Sequence, residues 1–195
     1  MSTRSDHTRL AATLVTVGLA AVTLTSIATG AFFTATASVP NNAFATGTVA
    51  LSTTPQTAVI SFSNMAPGDS STAPLTVTNS GSLRLRYTTL STTTEDFLAA
   101  RLRLEVRIGV TDCSAAGFVD GTAIYGPGIL GSTLGTRLFG DPAVGQQLGD
   151  RELAPAASEQ LCLRVTLPPD TDNTYQGTST TATLRLDTEQ TTNNP

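Results

Sequence analysis

The chain has no lysine and no tryptophan, and its one histidine, His7, lies within the first ten residues. Each absence removes a class of chemistry. Without lysine, a pilus cross-linked by lysine isopeptide bonds cannot be built from this chain. Catalysis of the Ser-His-Asp or Cys-His kind needs an imidazole. A zinc protease needs histidine ligands at helical spacing, and HExxH does not occur. Charge is scarce too, at 13% of the chain, about half the usual share. Beyond residue 31, nine arginines face fourteen carboxylates, and this acidic balance argues against nucleic acid or an anionic membrane as a partner.

Long apolar runs are limited to residues 10–27, which follow Arg4, His7 and Arg9 and lead into the small residues Thr29, Gly30 and Ala31. That order reads as an export signal over residues 1–31. A retained anchor is the competing reading, and the interspersed threonines and small-residue end count against it. The expected product, residues 32–195, is secreted, extracellular or at the cell surface, with no stable membrane insertion after cleavage. Cys113 and Cys162 are the only thiols, and in an exported chain a disulfide is their default use. Two cysteines without histidine make a poor metal-ligand set.

What the chain does have is period-two alternation between clusters of Gly, Pro and Asn. Phe33, Ala35, Ala37 and Val39 share one face of an opening strand that Pro40-Asn41-Asn42 ends. Further strands are predicted around Val49 and Leu51, Ala58 to Phe62, Leu75 and Val77, and Leu83 to Tyr87, with Arg84 and Arg86 on the wet side. Leu102 to Val110, Leu161 to Leu167 and Ala182 to Leu186 complete the set. Thr92-Thr93-Thr94-Glu95 fits a capping box, which predicts a short helix near residues 94–100. Residues 111–160 are rich in Gly and small residues and keep no firm period. A hairpin at Asp120-Gly121 and one short element are expected there, with the cysteines fastening the two ends. The fold class expected is all-β, a two-sheet antiparallel sandwich of jelly-roll type. Its parts are residues 1–31 as leader, 32–42 as an N-terminal strand, and 43–195 as the sandwich with a Gly-rich insertion at 111–160.

Carboxylates concentrate in predicted turns, where they could bind calcium or pair as glycosidase acids, although Asp favours turns for local reasons. Arg84, Arg86, Arg101, Arg103 and Arg107 read as the solvent face of sheet strands, paired with Glu or Asp, ahead of a polyanion site. No catalytic residue, metal site or cofactor is expected.

Four stretches in order, FFTATASVPNNAFATGTVALS, SFSNMAPGDSSTAPLTVTNSGSL, EDFLAARLRLEV and NTYQGTSTTATLRLDTEQT, resemble the TasA/camelysin family of exported matrix-fibre proteins. The Gly-rich middle with the two cysteines lies outside the resemblance. It implies a jelly-roll-like sandwich, cleavage by a dedicated signal peptidase, and a subunit of extracellular biofilm fibres in which the N-terminal segment of one copy adds a strand to the next. Carried over by position, Pro67, Gly68 and Asp69, Asn79 and Gly81, and Tyr175, Gln176 and Gly177 are fold-defining. The donor segment is Phe32, Phe33, Ala35, Ala37 and Val39. Such a strand has apolar side chains and unpaired backbone groups that a sheet edge could satisfy; the alternative is that it folds back as an edge strand of its own domain. The implied partner is the chain itself, head to tail, with other matrix or cell-surface proteins open. A monomeric adhesion module gripping through the 113–162 loop is the alternative function. Camelysin-like members are also associated with metalloprotease activity, which the missing histidine disfavours.

Overall fold

The structure, a computed structural model, describes residues 45–56 and 65–194. The leader, the N-terminal strand and the strand expected at 58–62 lie outside the described residues. Two antiparallel sheets pack as a sandwich, as the alternation implied. One contains, in spatial order, β1 (Leu51–Thr54), β2 (Ser70–Asn79), β8 (Ser158–Thr166), β4 (Arg103–Ile108) and β5 (Thr122–Ile129). The other is centred on β3 (Leu85–Thr93), which pairs on one side with β9 (Ala182–Gln190) and on the other with β6 (Thr136–Phe139) and β7 (Arg151–Leu153).

The core follows the period. Leu104 and Val106 of β4 face inward beside Leu161, Leu163 and Val165 of β8, and meet Leu85, Tyr87, Leu138 and Phe139 from the opposite sheet. Tyr87 and Phe139 meet edge to face at 5.9 Å, an arrangement aromatic quadrupoles favour. The Tyr87 hydroxyl donates to Glu159 at 2.6 Å, and Glu159 is held by Arg151. Burial, then the hydrogen bond to Glu159, push the Tyr87 hydroxyl's pKa well above that of free tyrosine. A pKa raised by folding means that the unfolded chain gives up this proton first. Stability is therefore complete below about pH 10 and declines above it, by about 1.4 kcal/mol per pH unit for one group. Burial raises the Tyr125 hydroxyl as well, so it adds to the decline in the same sense. Tyr87→Phe is expected to flatten it in urea titrations at pH 9–11.5, at a neutral-pH cost of roughly 1–2 kcal/mol for the lost bond.

The helix α1 (Phe97–Arg101) starts later than the capping box implied. Glu95 accepts directly from the N–H groups of Leu98 and Ala99, which satisfies two of the four free donors of a helix start. Asp96 turns its carboxylate to Thr133 instead.

The middle region departs most from expectation. Residues 111–160 hold three strands, β5, β6 and β7, built into both sheets. Asp120-Gly121 closes no hairpin: Ala123 and Tyr125 pair with β4, and Asp120 accepts from the Thr111 N–H at the mouth of the 109–121 loop. Hydrogen bonding from Thr111, side chain first and then backbone, holds the Asp120 carboxyl below the ordinary range. The loop lies over the outer face of the five-stranded sheet. Cys113 bonds Cys162, which sits opposite Pro74 and Arg107 in the middle of that sheet. Phe118 is clamped between the guanidinium groups of Arg164, at 4.1 Å, and Arg107, at 4.7 Å, a cation–π pairing on both faces.

Arg107 and Arg101 pair with carboxylates, as the sequence suggested of them in general; the partners are Glu105 and Asp170. Arg86 corrects the reading of a wet face. It is buried, beside Glu189 at 3.1 Å, and donates to the Asn194 carbonyl. Both faces of β3 are covered, one by the facing sheet and the Arg86 side by the C-terminal residues.

Candidate functional site

The three turns expected to define the fold occupy opposite ends of β2. At one end Asn79 is fully buried. Its side-chain amide donates to the carbonyls of Leu83 and Leu153 and accepts from the Gly81 N–H. Gly81 packs against the incoming chain so closely that a Cβ would come within 2.4 Å of the Thr48 carbonyl oxygen. Ser82 and Leu83 donate to that same carbonyl. This is where the chain arriving from residue 45 joins the sandwich. Asn79→Ala leaves three polar groups without their partner, the Leu153 carbonyl in the interior and two part-buried, and a loss of roughly 2–3 kcal/mol in chemical denaturation is expected.

At the other end the remaining two turns converge. Asp69 closes the Pro67-Gly68 turn by accepting from the Ala66 N–H and donating its own N–H to the Ala66 carbonyl. Gly68, at φ +97°, a region open mainly to glycine, donates to the Leu167 carbonyl. Leu167 in turn donates to the Asp69 carbonyl. The second turn follows a single turn of 3-10 helix, Asn173–Tyr175, whose start is capped by Asp172 accepting from Thr174. Gly177, at φ +74°, reverses the chain there, and the Tyr175 ring stacks on Phe97 of α1 at 4.4 Å.

Between these turns lies a groove of about 570 Å³. Leu98, Leu102 and Leu167 with Met65 give it apolar walls, and residues 175–180 form its rim. Beyond Gly177 the chain runs towards β9 without a neighbouring strand among the described residues. The backbone groups of Ser179 and Thr180 make no hydrogen bond to another described residue. The Thr180 hydroxyl is buried without a partner. Sequence reasoning marked Tyr175, Gln176 and Gly177 but not the groove, because its walls come from residues more than a hundred positions apart. The spacing of Leu98 and Leu102, four apart across a short helix, was the one local signal.

Residues 7–99 match the family model described as camelysin metallo-endopeptidase. Over that stretch the chain is similar to camelysin-family proteins. Among curated proteins none matches it. The matched stretch takes in the segment before the described residues, β1 to β3 and the start of α1, and agrees with the resemblance over its first two motifs and the start of the third.

The family's description as a metallo-endopeptidase raises the question of a metal. The donors around the groove do not fit one. Asp69, Glu95 and Asp172 are engaged in capping turns and helix starts, Asp96 holds Thr133, and Asp170 pairs with Arg101. Among the described residues no three His, Cys, Asp or Glu side chains converge, whereas catalytic zinc takes three protein ligands, usually including histidine. Among them, too, no helix is long and apolar enough to cross a membrane. The disulfide agrees with an oxidising, extracellular setting.

Proposed function

We propose that this chain is a secreted structural protein, the protomer of an extracellular or biofilm-matrix fibre joined non-covalently by donation of its N-terminal strand. The observation that carries this is the run of the camelysin match from residue 7, through the alternating Phe33, Ala35, Ala37 and Val39, into the first strands of the sandwich. A strand with one apolar face and a free backbone loses exposure on two counts when it adds to another copy's sheet edge. Head-to-tail addition does not close on itself, so it makes a filament and not a ring.

The adhesion-module reading is weakened by the fold. The 113–162 stretch that would grip a ligand is largely spent on β5 to β8 and on the disulfide-pinned cover of the outer sheet face. The family description keeps a protease reading in view, and it has a simple test: casein hydrolysis by the secreted chain, abolished by a chelator, would contradict a purely structural role. For the fibre role, the test is electron microscopy of the secreted chain over a concentration series. Filaments that lengthen with concentration are expected, and a chain that stays monomeric throughout would refute it.

A further inference from the structure

A donated strand needs an acceptor, and the sandwich has several exposed edges. Each edge strand carries its own protection against pairing: β6 and β7, the outer edge beside β3, are only four and three residues long. β1 is four residues long and runs into Pro55. β5 has Pro127 in its middle, which cannot donate to a ladder. β9 carries the Arg185–Asp187 ion pair along its length. The exception is the rim at residues 179–180, where backbone without a described partner borders a groove with apolar walls.

We propose that this groove is the acceptor for residues 32–39 of a second copy of the chain, an assignment that rests on the strand-donation reading above. The chemistry matches on both sides. The donor offers Phe33, Ala35, Ala37 and Val39 on one face and threonine and serine on the other. The groove offers Leu98, Leu102, Leu167 and Met65 below, with the Ser179 and Thr180 backbone and the buried Thr180 hydroxyl alongside. Among the described residues no charged side chain lines it, and the donor segment carries none.

Distance selects a second copy over the chain's own segment. The chain joins the sandwich at Thr48, beside Ser82, past the Asn79 end of β2. The groove lies beside Leu167, past the Ser70 end. Those ends are separated by about 30 Å of strand. The nine residues from Val39 to Thr48 reach about 30 Å only when drawn straight, and Pro40-Asn41-Asn42 is a turn sequence. A neighbour's segment has no such limit. Donor attachment at one end and acceptor at the other give each subunit a head and a tail.

The test uses the secreted chain with two single substitutions, Ala37→Cys in one preparation and Ser179→Cys in the other. Because the native cysteines are bonded to each other, the introduced thiols are the only free ones. Mixing the two preparations under assembly conditions with a short bis-maleimide is expected to yield a covalent dimer containing one chain of each kind. Neither preparation alone should yield one. Thr178→Arg, an exposed position on the rim, is expected to raise the concentration needed for assembly by roughly tenfold or more without altering the melting curve. A cross-link formed only within a doubly substituted chain would overturn the assignment in favour of the chain's own segment. Filaments without any such cross-link would show that the groove is filled otherwise, by residues 57–64 for instance, and would overturn it while leaving strand donation intact. Failure of the unsubstituted chain to form filaments would remove the strand-donation reading and the acceptor together.

Discussion

A chain lacking residues 32–39 is expected to fold with an unchanged melting temperature and to form no filaments at any concentration that supports them in the intact chain. The two halves of this result have separate causes. Folding is spared because the interior is made by residues from Leu75 to Leu167, and the chain reaches the sandwich only at Thr48. Assembly is lost because the joint is removed. Single changes are expected to show the same in graded form. A buried phenylalanine contributes roughly 1.5–3 kcal/mol, and burying an unpaired carboxylate in its place adds a penalty of its own. Phe33→Asp should therefore raise the assembly concentration about a hundredfold or more, and Val39→Asp should do likewise to a smaller extent. Sedimentation at a series of concentrations reads both. Unchanged polymerisation of Phe33→Asp would count against an apolar-strand joint even if filaments form.

The second large effect concerns the sandwich. Replacing both Cys113 and Cys162 by serine opens a loop with a sequence separation of 49. On the chain-entropy account this frees about 4 kcal/mol of unfolded-state disorder, a large share of the 5–15 kcal/mol typical of a domain. For a domain of this size the melting temperature should fall by roughly 10 °C, and a thiol reductant added to the native chain should reproduce the fall. The 109–121 cover remains attached through Phe118 between Arg107 and Arg164, so the loss should stop short of unfolding at room temperature. A shift of less than about 2 °C would mean that these contacts, and not the covalent link, hold the cover.

The strands that the alternation identified clearly, β4, β8 and β9, are long and have one face in the core, so each apolar residue marks a side. The disulfide was legible because two thiols in an exported chain have few other uses. The middle of the chain hid its strands for physical reasons. β6 and β7 are four and three residues long, too short to show a period. The pairing of β5 with β4 shifts register twice, so alternation along β5 does not track one face. Arg86 was misjudged because its cover comes from residues about a hundred positions later. Local periodicity cannot register a second layer laid over a strand by a distant segment. The turn residues show the reverse case. Asn79 and Gly81 were marked as fold-defining by resemblance, and in the structure Asn79 makes three hydrogen bonds, one of them buried, beside a backbone approach at Gly81 that excludes a side chain.

Amide hydrogen exchange on residues 32–39, compared between the dilute secreted chain and the assembled filament, tests most directly whether that segment is the joint. Slow exchange across Phe33, Ala35, Ala37 and Val39 that appears only on assembly, together with new protection at Ser179 and Thr180, is the predicted result. Exchange as fast in the filament as in the free chain would mean that the segment has no partner there, and strand donation would have to be abandoned.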